Sequence, residues 1–162
     1  MWLMTSFGGS MRAAGWCLRI LLIATLASTG IAHAETASDD GRLARLSWSA
    51  YKCVDFAARA SKHDAQTRLF SIATDAGRRF IEGVKSGAIT KESVDNQAPI
   101  GFLLRMEGPS ADFMLGRVYS AASNEAENEL MDACGQCRIG SELLKVIAAN
   151  LYHQANCELL GR

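Results

Sequence analysis

The strongest constraint on the fold is the spacing of apolar residues between residues 42 and 160. These residues recur at steps of three and four, which places them on one face of an α-helix, while strand-like alternation of β-branched residues is missing. Only two prolines occur, Pro99 and Pro109, so little interrupts such helices. The sequence therefore predicts an all-α fold in a single domain of four to five helices.

Start and stop signals divide this pattern into separate helices. Asp64 and Ser110 are good N-caps, and Gly87 is a left-handed stop for the helix before it. The segment Cys134 to Gly140 contains two glycines and interrupts the pattern before a last helix. The expected helices cover residues 42–62, 65–86, 111–129 and 141–160, and residues 100–106 form either a buried turn or a brief further helix.

Two features of these helices predict how they pack. Gly77 and Gly83 lie inside the second helix, where each costs about 1 kcal/mol relative to alanine, so we expect a neighbouring helix to approach closely. The helix that follows Ser110 carries Phe113, Met114 and Val118 at helical spacing. We expect these three side chains to be buried.

Residues 1–34 have the order of a secretory signal peptide. Arg12 and Arg19 precede an uncharged, mostly apolar run over 20–32, and Ala32-His33-Ala34 fits a cleavage site. An uncleaved anchor is the alternative, but only about 15 residues are free of charge where a membrane span needs roughly 20. We expect export to the periplasm or the medium, a mature N-terminus at Glu35, a disordered segment over 35–41 and a helical domain over 42–162. Met11 competes with Met1 as the start of translation.

The charge balance limits the classes of partner. Lys and Arg together number 17, as do Asp and Glu, and the two leader arginines are lost on cleavage. The charges are interspersed rather than collected into a basic patch. We therefore expect no nucleic-acid partner and, after cleavage, no membrane partner.

Four cysteines remain after the leader, and four cysteines allow three pairings. Cys53 lies on the apolar face of the first helix and Cys157 near the end of the last, so a bridge between them would join the two ends of the domain. Cys134 and Cys137 would then pair locally. We expect these two disulfides, because the exported compartment is oxidising.

The Cys134-Gly135-Gln136-Cys137 motif leaves two further interpretations open. Its spacing is that of thiol-redox motifs, although no strand precedes it as in thioredoxin-like enzymes, and zinc binding would require free thiolates. Cytochromes of the c-prime type need a histidine directly after such a motif, and Arg138 stands there instead. We expect no metal and no cofactor.

Catalytic residues are scarce in this sequence. Only His63 and His153 remain after the leader, and no serine stands in a G-x-S-x-G motif. Each histidine is best interpreted as a surface or capping group. We therefore predict no catalytic residue.

The most polar turn of the chain is the strongest candidate for binding a partner. It combines a rigid Gly-Pro turn, two arginines, two acids and a helix N-terminus, which suits an anion site or a protein-recognition surface. The alternative is an intrachain network in which an arginine holds the turn through an acid. The candidate residues are Arg105, Glu107, Ser110, Asp112 and Arg117.

The chain resembles small helical immunity proteins that bacteria export to the periplasm to neutralise peptidoglycan-cleaving effectors of type VI secretion. The resemblance lies in the leader, the size, an early Cys53 and a late Cys157, and the second-helix pattern Leu69-Phe70, Ala73-Thr74, Gly77 and Gly83. That family tends to carry glycine and an aromatic residue where Ala73 and Thr74 stand here. The resemblance implies an inhibitor that acts by binding another protein, without catalysis, as a homodimer. A thiol-disulfide redox protein that uses the CGQC motif is the alternative function.

Overall fold

A computed structural model describes residues 41–90, 94, 97–135 and 141–162 of the chain. These described residues belong to one compact unit. The described residues form five helices and no strand, which confirms the all-α prediction. The helices are α1 (41–59), α2 (His63–Ser86), α3 (Ile100–Leu103), α4 (Ala111–Cys134) and α5 (Glu142–Gln154).

The N-terminal expectations lie almost entirely outside the described residues. This holds for the signal peptide over 1–34 and for residues 35–40 of the segment expected to be disordered. Gly41, the last residue of that segment, is an exception, because it is helical and buried. A Cβ atom at Gly41 would lie 2.2 Å from the Cβ of Gln97, so Gly41 packs closely against that residue, and the disorder expected for the segment stays a prediction.

Capping chemistry explains most helix ends. Ser110 and Ser141 cap α4 and α5: their hydroxyl oxygens accept hydrogen bonds from the backbone N–H groups of Phe113 and Leu144, at 3.1 and 3.2 Å. Gly87 ends α2 in the left-handed conformation, with φ of 74°. The start of α2 differs from the prediction, because the helix begins at His63 and Asp64 lies in its first turn instead of capping it.

The last helix is shorter than predicted. It ends at Gln154, and Asn156 then adopts a left-handed conformation with φ of 53° that turns the chain away from the helix axis. Arg68 of α2 holds the following turn, since its guanidinium donates hydrogen bonds to the carbonyls of Cys157 (3.0 Å) and Leu160 (2.8 Å). This turn brings Cys157 into the core.

One disulfide joins the beginning and the end of the domain. Cys53 of α1 and Cys157 are bonded, with their Cα atoms 5.7 Å apart; the two cysteines are 104 positions apart in sequence, and both are buried. This confirms the predicted Cys53–Cys157 pairing. Cys134 is also disulfide-bonded. Its predicted partner Cys137 lies outside the described residues, so the second pairing stays a prediction.

The core is built around large aromatic side chains contributed by α1, α2 and α3. Tyr51, Phe56, Phe80 and Phe102 are fully buried, and the rings of Phe80 and Phe102 meet edge to face at 5.2 Å. This contact fixes the short helix α3 against α2. A smaller cluster of Leu130, Leu144 and Ala148 joins α4 to α5.

Gly77 confirms the expectation of close packing, whereas Gly83 does not. A Cβ atom at Gly77 would lie 2.5 Å from Cδ2 of Leu115 in α4 and 2.6 Å from Oγ of Ser47 in α1. The buried Ser47 hydroxyl donates a 2.7 Å hydrogen bond to the carbonyl of Ala73. Gly83 instead faces the side chain of Ile89 in the loop that follows α2, so its neighbour is not a helix.

A row of polar contacts sets the orientation of α4 against α1. Lys52 pairs with Glu125 and Glu129 at 2.7 and 2.5 Å, and the Ser123 hydroxyl donates to the carboxylate of Asp55. Partial burial raises the pKa of Asp55, although the hydrogen bond from Ser123 opposes this shift. With this side of α4 turned toward α1, the side that carries residues 113, 116, 117, 120 and 124 faces outward. Within the described ranges every helix is too short or too polar to span a bilayer.

Candidate functional site

The turn that precedes α4 is held rigidly by its own residues. Gly108 has φ of 154°, and the ring of Phe113 packs against it so closely that a Cβ there would lie 2.3 Å from the Phe113 Cδ1 atom. Arg117 donates a 2.7 Å hydrogen bond from Nη1 to the carbonyl of Glu107. The predicted intrachain network therefore exists, but Arg117 uses the backbone of Glu107 rather than its carboxylate.

The acid at the start of α4 has a partner that sequence reasoning did not connect with the turn. Asp112 forms a 2.6 Å ion pair with Arg78 of α2, and both side chains remain substantially exposed. The neighbouring carboxylate raises the pKa of the Arg78 guanidinium. Since 34 residues separate the two partners, no local spacing could have indicated this pair.

Two candidate side chains keep their charges available. Arg105 is half-buried and Glu107 exposed, and neither side chain forms a hydrogen bond or an ion pair with another described residue. The two residues have different roles. The backbone carbonyl of Glu107 accepts a hydrogen bond from Arg117, whereas Arg105 lines an open groove. Arg105 is therefore the one of these two residues that brings an unpaired charge to the groove.

A groove of about 590 Å³ runs along the outward side of α4. We call it the arginine groove; it is lined by Arg105, Asp112, Phe113, Gly116, Arg117, Ser120, Ala121 and Asn124. The structure thus brings together three of the five predicted site residues. Glu107 and Ser110 do not line the groove but hold the turn at its end, one through its carbonyl and the other as N-cap.

Sequence reasoning missed the other five residues of the groove. Ser120 and Asn124 are exposed and form no side-chain hydrogen bond with another residue in the described ranges. Phe113 was expected in the core but is 51% exposed, because the turn at Gly108 covers only part of its ring. The sequence did indicate that these residues lie together, because positions 113, 116, 120 and 124 are three or four residues apart and fall on one face of a helix.

A second opening lies on the other side of Gly116. This aromatic cleft, as we call it, has a volume of about 220 Å³ between α1, α2 and α4. Three rings meet there edge to face or tilted, with centroids 5.2–5.7 Å apart, and the Tyr51 hydroxyl lies 3.1 Å from that of Thr74. Burial raises the pKa of Tyr51. The lining residues are Tyr51, Phe70, Thr74, Leu115 and Tyr119, with Asp112 and Gly116 shared with the arginine groove.

The two histidines lie near a third opening, at the start of α2. His63 lines it beside Lys62, whose Nζ lies 5.1 Å above the ring of Tyr152. His153 pairs with Glu158 at 2.7 Å on the exposed surface. In the part of the chain that the structure describes, no three His, Cys, Asp or Glu side chains cluster in a way that could hold a metal ion.

Cys134, the first residue of the CGQC motif, is disulfide-bonded and is the last residue of α4. A thiol is activated at the positive N-terminal end of a helix, whereas Cys134 lies at the negative C-terminal end. The geometry therefore draws attention to the arginine groove rather than to this cysteine. No family model, curated protein or solved structure matches the chain, so the site's own geometry has to indicate the function.

Proposed function

We propose that this chain is an exported helical binding protein without catalytic activity, and that the arginine groove binds an acidic surface of another protein. The observation that carries the proposal is the combination of Arg105 and Arg117 beside unpaired polar groups on one outward helix face. The turn and helix that present these groups are fixed by the Ser110 cap and by the Arg117 hydrogen bond. A rigid surface loses little conformational entropy on binding.

The charges around the groove favour an anionic partner. Arg105 has no ionic partner among the described residues, and Arg117 uses one of its five N–H donors on the Glu107 carbonyl. The Asp112 carboxylate at the groove is paired with Arg78. A carboxylate that enters the groove can accept hydrogen bonds from both guanidinium groups, and Asp112, the acid that lines the groove, is already paired with Arg78.

The compartment proposed is the periplasm or the extracellular medium. The leader over 1–34 supports export, and the buried Cys53–Cys157 disulfide is of the kind found in oxidising compartments. The resemblance to immunity proteins gives the proposal a concrete form, namely an inhibitor that binds and blocks a peptidoglycan-cleaving effector. Mass spectrometry of the exported protein should find Glu35 as its first residue.

The redox alternative has less support from the position of Cys134. Because the C-terminal end of a helix disfavours a negative charge, a thiolate at Cys134 gains nothing from α4. If the protein has a redox function, the double variant Cys134→Ser/Cys137→Ser should lose its activity. The binding proposal expects that variant to keep its partner.

The test compares two charge reversals in the full chain, exported with a C-terminal tag and purified from the periplasmic fraction. Arg105→Glu reverses a charge in the groove, and the matched control Lys145→Glu reverses an exposed charge on α5, outside the groove. Each protein is used to capture partners from periplasmic extract, and each partner is then purified and its affinity measured. We expect Arg105→Glu to weaken binding at least tenfold and Lys145→Glu to change it less than twofold.

Ionic strength supplies the second readout. The association rate of the unaltered protein should fall between about 0.05 and 0.3 M salt, because exposed charges are screened over this range. Circular dichroism must show that Arg105→Glu remains folded. A partner that binds the folded Arg105→Glu protein with unchanged affinity would overturn the proposal, as would loss of binding in the Cys134→Ser/Cys137→Ser protein alone.

A further inference from the structure

Gly116 is a glycine that the fold itself does not require. It lies inside α4, where glycine costs about 1 kcal/mol relative to alanine, and it has no left-handed φ angle. A Cβ atom built at Gly116 would meet nothing within 4 Å, in contrast with the crowded Gly77. The missing side chain therefore leaves open space that no described part of the chain fills.

That open space lies where the two cavities adjoin. Gly116 and Asp112 line both the arginine groove and the aromatic cleft. Any side chain at position 116 would stand between the two openings. With glycine there, a chain segment can cross α4 from one opening to the other.

The aromatic cleft suits an apolar side chain. Phe70 is 45% exposed although it is in edge contact with Tyr51 and Tyr119, so part of its ring remains uncovered. The cleft volume of about 220 Å³ is below the roughly 300–1,000 Å³ of small-molecule sites, so one side chain fits better than a separate ligand. Aromatic rings prefer the edge-to-face contacts that this cluster offers.

The charges around the start of α4 determine which second group of the partner can bind beside the apolar side chain. Three guanidinium groups, of Arg78, Arg105 and Arg117, stand around the start of α4 against the carboxylates of Asp112 and Glu107. Because Arg78 neutralises Asp112, a carboxylate that reaches Arg105 meets little repulsion at the crossing point. A basic segment at the same place would meet the guanidinium of Arg105, which has no ionic partner among the described residues.

We infer that one continuous segment of the partner protein crosses α4 over Gly116, with an aromatic or branched apolar side chain in the aromatic cleft and a carboxylate at Arg105. The inference rests on the proposed function and specifies the partner's chemistry. A helix is 10–12 Å across, and an extended chain advances about 3.3 Å per residue, so the two groups should stand about three residues apart.

The experiment selects peptides from a random library of displayed nine-residue peptides on the purified, exported protein. We expect enriched peptides to carry Asp or Glu about three residues from Phe, Tyr, Trp or Leu. Selection is repeated on Gly116→Leu, which fills the crossing point, and on the control Asn150→Leu, which adds the same side chain to an exposed position of α5. The enrichment should persist on Asn150→Leu and disappear on Gly116→Leu.

Synthetic peptides of the enriched sequence then separate the two proposals. Replacing the aromatic residue of the peptide by alanine should lower its affinity at least tenfold for the unaltered protein and less than twofold for Phe70→Ala. Acidic peptides enriched without any apolar residue, or binding unchanged in folded Gly116→Leu, would overturn the crossing over Gly116 but leave the proposal that the arginine groove binds an acidic partner. Enrichment of basic peptides, or no enrichment at all, would overturn both proposals.

Discussion

The same substitution at two helix positions should change stability in opposite directions. Gly116→Ala places a methyl group in open space and removes the conformational cost of glycine, so we expect the free energy of unfolding to rise by about 0.5–1 kcal/mol. Gly77→Ala makes the same replacement within α2, but its methyl group would lie 2.5 Å from Leu115 and 2.6 Å from Ser47. Leu115 can rotate, whereas Ser47 is held by its hydrogen bond to Ala73.

The magnitude at Gly77 follows from these contacts. Overpacking costs about 1–3 kcal/mol, and displacing Ser47 endangers a buried hydrogen bond worth about 0.5–1.5 kcal/mol, against a gain of about 1 kcal/mol in helix propensity. We expect a net loss of about 1–3 kcal/mol for Gly77→Ala. For a domain of this size, 1 kcal/mol corresponds to roughly 4 °C in melting temperature.

Thermal and urea unfolding, followed by circular dichroism at the helical signal, measure both variants under identical conditions with the disulfides intact. The two melting temperatures should move apart, that of Gly116→Ala upward and that of Gly77→Ala downward. A Gly116→Ala protein that melts at or below the unaltered protein would refute the reasoning, because it would mean that some contact does require this glycine. The inference that Gly116 is kept open for a partner would then lose its main support.

Three further predictions concern the disulfide and the polar contacts. Removing the Cys53–Cys157 bond with the double alanine variant should lower stability by up to about 4.7 kcal/mol in urea unfolding, since the bond closes a loop of 104 residues, and a loss under about 1 kcal/mol would speak against a structural role. Burial raises the pKa of the Asp55 carboxyl in the folded state, so its contribution to the free energy of unfolding is fully present at low pH and is lost as the pH rises above about 4. The stability of the unaltered protein relative to Asp55→Asn should therefore fall over that rise. A difference that stays constant with pH would contradict this. Arg68→Ala should speed amide hydrogen exchange over residues 157–162 and lower the free energy of unfolding by about 1.5–3 kcal/mol. The control Arg79→Ala, at an exposed position, should change it by less than about 0.5 kcal/mol. Equal effects of the two variants would show that the carbonyl contacts of Arg68 do not stabilise the protein.

Local chemistry made much of the fold predictable from the sequence. Helical periodicity, the serine caps at Ser110 and Ser141 and the left-handed Gly87 act within one or two turns of chain, so the amino acids themselves carry the signal. The Cys53–Cys157 pairing was predictable for a different reason, because the two cysteines lie in the first helix and just after the last one, so a bridge between them joins the two ends of the domain.

The candidate site was predictable only in part. Arg105, Asp112 and Arg117 could be selected because a Gly-Pro turn, charges and a helix start coincide in a short stretch of sequence. Their roles could not be assigned in this way. The sequence does not indicate whether Arg117 bonds to a carboxylate or to a backbone carbonyl, because both acceptors lie within reach of the turn.

The sequence by itself indicated the helices, the caps at Ser110 and Ser141 and the Cys53–Cys157 pairing. The tertiary structure alone decided that Arg78 pairs with Asp112 across 34 residues, that Phe113 is half exposed, and that Gly116 separates two openings. The physical reason is that these features depend on which faces of α1 and α2 pack against α4. Periodicity shows that a helix has a buried face, but the gaps left between helices depend on how several such faces fit together.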